Sequence, residues 1–263
     1  MTATALPVHV LPVKRSGPVH WLRSYRAMLR WQLTDMRLLL PLTVMVQLLS
    51  GVGLVLGFGL LIADMTESVA LYLSTGAVVV TLGIVGVIMG PQLIAQQKSS
   101  GSYDFMWSLP VPRSSASAAW VTLNVFIALP AMLGALGAAI WRYDVTFDVS
   151  FMVLPAVGLT LLTGTLIGYA LAHAVPKPDI TQLISQLLIF VIFGFSPISY
   201  PIENLPAWLA TVNEYLPFYP MANVVRDSLT NGIVIEVGRS YMVLGVWAVG
   251  AAVVAGWVLR RRK

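Results

Sequence analysis

The sequence predicts an all-α membrane protein: six transmembrane helices, an N-terminal amphipathic helix, and short helices on both membrane faces. Three observations carry this reading. Hydrophobic residues fill 57% of the 263 positions and charged residues 10%, with a mean hydropathy of +0.81, whereas soluble domains carry about 25% charged residues. The charges are absent from six runs, Leu38 to Ala63, Ser68 to Gln97, Ser114 to Trp141, Val149 to Ala172, Ile180 to Ile202 and Ser240 to Leu259, which are 26, 30, 28, 24, 23 and 20 residues long. A helix rising about 1.5 Å per residue crosses about 30 Å of hydrocarbon in about 20 residues, so all six qualify. Backbone amides must pair inside lipid and no run alternates like a barrel strand, so each is expected to be helix. The expected spans cover residues 38–62, 70–95, 116–140, 150–173, 180–200 and 240–259.

Ahead of the first span, residues 1–19 lack an apolar core and carry Pro7, Pro12 and Pro18. They read as a disordered cytoplasmic tail and not as a cleavable signal, leaving residues 20–263 as one membrane domain. From His20 to Arg37, Leu22, Tyr25, Leu29, Leu33 and Met36 recur at three- and four-residue spacing beside a stripe of Arg23, Arg26 and Arg30. A helix with that pattern prefers the interface, with its apolar side in the acyl chains and its arginines among headgroups. The plainer alternative is a basic flank of the first span.

Six spans put both termini on one side, and basic residues identify the side. One face collects Lys14, Arg15, Arg23, Arg26, Arg30, Arg37, Lys98, Arg113, Lys177, Arg260, Arg261, Arg262 and Lys263, which is 13 of the 16 lysines and arginines. The other holds Arg142, Arg226 and Arg239 with eight acids, among them Asp64, Glu67, Glu203, Glu214 and Asp227. The basic face is read as cytoplasmic, in a bacterial plasma membrane. The net charge of +5 sits beside helix ends, so it reads as topology and attraction to anionic lipid, with no nucleic-acid partner.

Between the second and third spans lies QQKSSGSYDFMWSLPVPR, Gln96 to Arg113. Gly101 can release the chain from the second span, Ser102 can cap a short helix from Tyr103 to Leu109, and Pro110 and Pro112 stop it. Tyr103, Phe105, Met106 and Trp107 are then presented at the inner surface, either to a partner or to the interfacial belt. Small residues four apart, Gly53 and Gly57, Gly86 and Gly90, Gly164 and Gly168, permit close helix contact within the chain or between subunits. On the fifth span, Thr181, Gln182, Ser185 and Gln186 form a polar side that is either a pathway lining or an interhelical hydrogen-bond seam. Phe190, Phe193 and Phe195 are path walls or lipid-facing packing.

The segment from Tyr200 to Arg239 is broken by Pro201, Pro206, Pro217 and Pro220 into pieces of about ten residues, too short to span. They are expected as short helices that dip into the outer leaflet or cap the bundle.

Several chemistries are excluded. No lysine follows a glycine, so there is no Walker A loop. The chain has no cysteine, and His9, His20 and His173 have no companions at metal-ligand spacing. Ser196 and His173 fall at opposite ends of their spans, too far apart for a nucleophile and its base. No ionisable residue lies inside a predicted span, so no proton or sodium relay is visible.

Taken together, the chain resembles a type-2 ABC exporter permease of the drug or lipid exporter kind. The resemblance covers nearly the whole length, and its sharpest stretch follows the second span, where Lys98, Gly101, Asp104, Leu109, Pro110 and Arg113 stand at the family's positions. Gln97 replaces the usual glutamate and Ser99 a frequent second acid. NEYLPFYPMANVVRDSL resembles the family's stretch before the last span, without its Asn-Pro. The resemblance implies coupling to an ATPase through Tyr103, Asp104, Phe105, Met106, Trp107, Leu109, Pro110 and Arg113, and an inner gate at Gln97, Lys98 and Gly101. It also implies a substrate path near Thr181, Gln182, Ser185, Gln186, Phe190 and Phe193. Partners implied are two cytosolic ABC ATPase subunits and a second permease protomer, identical or homologous. No cofactor is expected in this chain, ATP and magnesium belonging to the ATPase. The implied activity is export of an amphipathic drug-like or lipid-like substrate. A polysaccharide or teichoic-acid permease and a nontransporting membrane anchor or sensor are the rivals.

Overall fold

The computed structural model describes residues 17–62, 65–230, 234 and 236–261, apart from the side chains of Trp107 and residues 259–261. Among the described residues the regular elements are all helical, and six helices are long and apolar enough to cross a membrane: Leu40–Leu61, Glu67–Ser100, Arg113–Tyr143, Val153–Ala174, Pro178–Phe195 and Val237–Val258. Each overlaps one of the six charge-free runs, and a chain built this way is a multi-pass membrane protein.

Most of the expected tail, with Asp64, Arg262 and Lys263, lies outside the described residues, but Pro18 and Val19 already belong to α1 (Pro18–Asp35), which proline can open because no amide is needed there. Helix α1 packs against α6 (Arg113–Tyr143). The Trp21 indole donates to Ser114 Oγ at 3.0 Å and the Tyr25 hydroxyl meets Thr122 Oγ1 at 2.9 Å. Its buried strip is Ser24, Met28 and Gln32, with Met28 on Ala116 and Ala119, while Leu22 of the expected apolar stripe is exposed. Small side chains on α6 accept the narrow strip, which leaves the leucine edge outward.

The second span is the centre of the bundle. It comprises α3 (Glu67–Gly83), a π turn (Ile84–Met89) and α4 (Gly90–Ser100), and neighbours α2 (Leu40–Leu61), α6, α7 (Val153–Ala174), α8 (Pro178–Phe195) and α10 (Phe218–Thr230). Pro91 explains the π turn. It has no amide for the carbonyl one turn back and its ring needs room there, so the preceding turn widens and the Gly90 amide reaches back to the Val85 carbonyl. That turn meets α7 through glycines. A Cβ on Gly168 would collide with the Gly86 carbonyl, and one on Gly86 would lie 2.8 Å from Gly164 C. Gly53 and Gly57, at the same spacing on α2, have nothing within 4 Å at their Cβ positions. The four-residue pattern therefore marks close backbone packing in two spans and none within this chain in the third.

The fifth span ends earlier than expected. Residues before proline avoid the helical region, and Ser196, before Pro197, is extended at φ −100°, ψ 125°. The following segment to Tyr200 folds back along α3, where a Cβ on Gly76 would be 2.6 Å from the Ile198 carbonyl. Short helices α9 (Ala207–Tyr215) and α10 come next, before α11 (Val237–Arg261). Helix α9 is largely exposed. Helix α10 is buried among α3, α7 and α11.

Candidate functional site

The site is assembled where the second span leaves the bundle. Gly101 ends α4 in the left-handed conformation, φ 77°, which a side chain adopts only at a cost. The reversal leads into α5, Ser102–Ser108. Ser102 starts this helix but does not cap it: its hydroxyl bonds Ser100 Oγ at 2.8 Å and donates back to the Gln97 carbonyl at 3.4 Å, closing the turn. Leu109 is extended because Pro110 follows it, and Pro112 precedes the first residue of α6, Arg113.

A seven-residue helix lying on a bundle must bury one side, and this separates the residues that sequence spacing had grouped. Tyr103 is 3% exposed, Met106 is half-buried against the core, and Leu109 is half-buried. Asp104, Phe105, Ser108, Pro110 and Arg113 are exposed, Phe105 at 59%. The side chain of Trp107 lies outside the described residues.

Beneath Tyr103, the ends of the second and fourth spans are tied together. The Tyr103 ring lies 5.7 Å from the His173 ring, which packs on Tyr169 at 4.0 Å. His173 is buried, with Nδ1 2.8 Å from the Tyr169 carbonyl. Lys98 lies 5.5 Å from the Tyr103 ring centre and donates to the Ala172 and Val175 carbonyls at 2.5 and 2.7 Å. An ammonium at a helix C-terminus satisfies orphan carbonyls and opposes the negative end of the helix dipole. Lys98 thus binds α4 to the end of α7 through backbone, a role that needs no glutamate at position 97. Gln97 closes a void of only ≈ 10 Å³ together with Gln32, Tyr103, Met106, Trp120 and His173. These contacts join α5 to the ends of α4 and α7.

A match to the family model described as ABC-2 family transporter protein spans residues 34–257, most of the chain. The chain belongs to the ABC-2 transporter family. It is thus the membrane permease of an ABC transporter, a subunit type that works with an ABC ATPase and is itself typically non-catalytic. No curated protein matches the sequence.

The permease's fifth span places its marked residues on two faces. Thr181 and Ser185 are fully buried and donate along their own helix, to the Lys177 and Thr181 carbonyls at 3.3 and 2.9 Å. Gln182, Gln186, Phe190 and Phe193 are exposed, Phe190 at 72%. Within the chain α8 packs mainly on α4 and the π turn, so one side is covered and the other is bare.

One cluster escaped the sequence reading. Arg226 counts among the charges of the acidic, outer face, and on α10 it is 1% exposed. Its guanidinium lies 3.5 Å over the Tyr72 ring, Nε donates to Thr75 Oγ1 at 3.1 Å and an η nitrogen to the Ile198 carbonyl at 2.6 Å. The bare end of the fifth span is held twice, since Asn213 Nδ2 of α9 donates to the Phe195 carbonyl at 2.9 Å. A signal was present: Arg226 falls between Ala222 and Leu229 at helical spacing, on the apolar stripe of α10.

Proposed function

We propose that the permease is half of an exporter dimer driven by two cytosolic ABC ATPases, moving an amphipathic drug-like or lipid-like substrate outward past α8. The observation that carries this reading is the bare side of α8. A membrane helix covered along one side only, with Gln182 and Gln186 near one end and Phe190 and Phe193 beyond them, offers a greasy path with sparse hydrogen-bonding groups to a second protomer. The positive-inside distribution of charge supports a cytosolic side for α5 and both termini. In this reading Asp104, Phe105 and Pro110 meet the ATPase, while Tyr103, Lys98, Gln97 and Gly101 pass its movement to α4 and α7. ATP and magnesium act in the ATPase, and coupling is a bias on a two-state bundle.

Phe105→Ala tests the docking face without disturbing the core. Loss of an exposed aromatic anchor is expected to weaken ATPase binding about tenfold or more, with transport falling in step and permease yield unchanged. Undiminished ATPase binding and transport would remove α5 as the docking element. Met106→Asp is a poor probe, because Met106 packs on the core and its charge would unsettle the fold.

Exposed phenylalanines on the same side also favour a second reading, export of a saccharide chain, since aromatic faces stack on sugars. Phe190→Leu separates the two. It preserves apolar volume and removes the ring, so transport of an amphipathic drug persists while that of a saccharide falls.

A further inference from the structure

At the α5 end of the bundle a groove of ≈ 420 Å³ lies over α7 between α6 and α11. Its polar lining is gathered from three turns of two helices. Arg113 is the first residue of α6, and Ser117, one turn on, bonds the Arg113 carbonyl at 3.1 Å and the Tyr169 hydroxyl at 3.2 Å. Thr165, one turn from Tyr169 on α7, lines the same groove, is 1% exposed, and its hydroxyl has no hydrogen-bond partner among the described residues. A buried hydroxyl left unpaired is costly, and this one stands in the wall of the groove beside Tyr169. Among the described residues no carboxylate lines the groove. Ser114, which accepts from the Trp21 indole, also lines the groove, and Val121, Leu166, Ala252 and Ala255 form a hydrocarbon wall.

We propose that this groove is a binding site for one anionic glycerophospholipid. The occupant must present an anion with hydrogen-bond acceptors to the side of Arg113 and Thr165, and acyl chain to the alanine and leucine wall. Access is sideways from the bilayer, because α11 packs along α7 while α6 and α11 scarcely meet. A zwitterionic choline headgroup would bring a cation toward Arg113, and free phosphate would leave the apolar wall uncovered. Once bound, the lipid joins the exit of the α5 segment to α7 and α11. The site does not depend on what is exported or in which direction, and it differs from the bare side of α8.

The test is lipid retention by the full-length permease in nanodiscs of equal phosphatidylglycerol and phosphatidylcholine, read by native mass spectrometry. Retention of phosphatidylglycerol over phosphatidylcholine by about fivefold or more is expected, the weight of one interfacial cation. Gly256→Leu is the blocking variant. Gly256 lines the groove and a Cβ there meets nothing within 4 Å, so leucine fills the space without a clash and the retained lipid is lost at unchanged melting temperature. Thr165→Val keeps shape, removes the hydroxyl and reduces the preference, which provides a second variant should the first misfold. Equal retention of the two lipids, or full retention in both variants, overturns the proposal. Displacement of the lipid by inorganic phosphate alone would make this a free-anion site and overturn it as well.

Discussion

Arg226→Ala is expected to destabilise the permease by about 2–4 kcal/mol, combining a large core cavity with polar groups left unpaired. The arginine is the only side chain that donates to both Thr75 and the Ile198 carbonyl among the described hydrogen bonds. Thr75 loses little, since its own hydroxyl donates to the Leu71 and Tyr72 carbonyls at 2.9 and 3.0 Å. Ile198 loses more, because the helix has already ended and nothing in α8 can take its carbonyl. Arg226→Lys should recover only part of the loss, as an ammonium cannot lie flat on Tyr72 while donating in two fixed directions. Arg226→Met separates packing from polarity: it fills volume, and burying an arginine is itself expensive, so methionine should stand above alanine. Thermal or denaturant unfolding in detergent checks the order. A melting temperature for alanine equal to that of the parent would show that the α10 cluster does not hold the end of the fifth span.

Gly168→Val should be at least as damaging, by about 3 kcal/mol or more with loss of membrane yield, because overpacking here has no flexible neighbour to yield. The obstructing atoms are the Gly86 carbonyl oxygen and the Pro91 ring, whose Cδ would lie 2.9 Å away. Gly86 lies in the π turn and Pro91, at the start of α4, dictates the path of that turn, so relief requires parting α7 from the central span. Gly53→Val on α2 is the matched control, the same substitution in the same four-residue pattern with open space around it. It should change folding of the isolated permease by less than about 0.5 kcal/mol. Equal losses for the two variants would mean that valine's helix propensity, and not the α7 contact, governs the result.

Those two sites show what could be read in advance. The glycine pairs were visible in the sequence, but spacing describes one helix alone and cannot say which of its faces meets another backbone. Proline-linked features were partly legible: Pro110 and Pro112 ended α5 as expected, and the consequences of Pro91 and Pro197 followed only once the neighbouring carbonyls were located. In α5 the short helix and its stop were foreseeable from local chemistry. The division between inward Tyr103 and Met106 and outward Asp104 and Phe105 was not, because it depends on how the helix is rolled against α4 and α6. On α8, likewise, Thr181 and Ser185 share a helix with Gln182 and Gln186 but not a face.

Solvent transfer sorted the chain by itself: lipid admits long uncharged helices and little else, so six spans, their order and the reversal at Gly101 were written in residue types and spacing alone. Pairing was decided by the bundle. Lys98 on the carbonyls of α7, Arg226 on Tyr72 and Ile198, and the groove between α6 and α11 join residues 28 to 154 positions apart in a chain whose local sequence carries no record of those distances. Such contacts exist only after the helices have chosen their neighbours, since a side chain's partner is set by shape and by the backbone groups that another segment leaves unsatisfied.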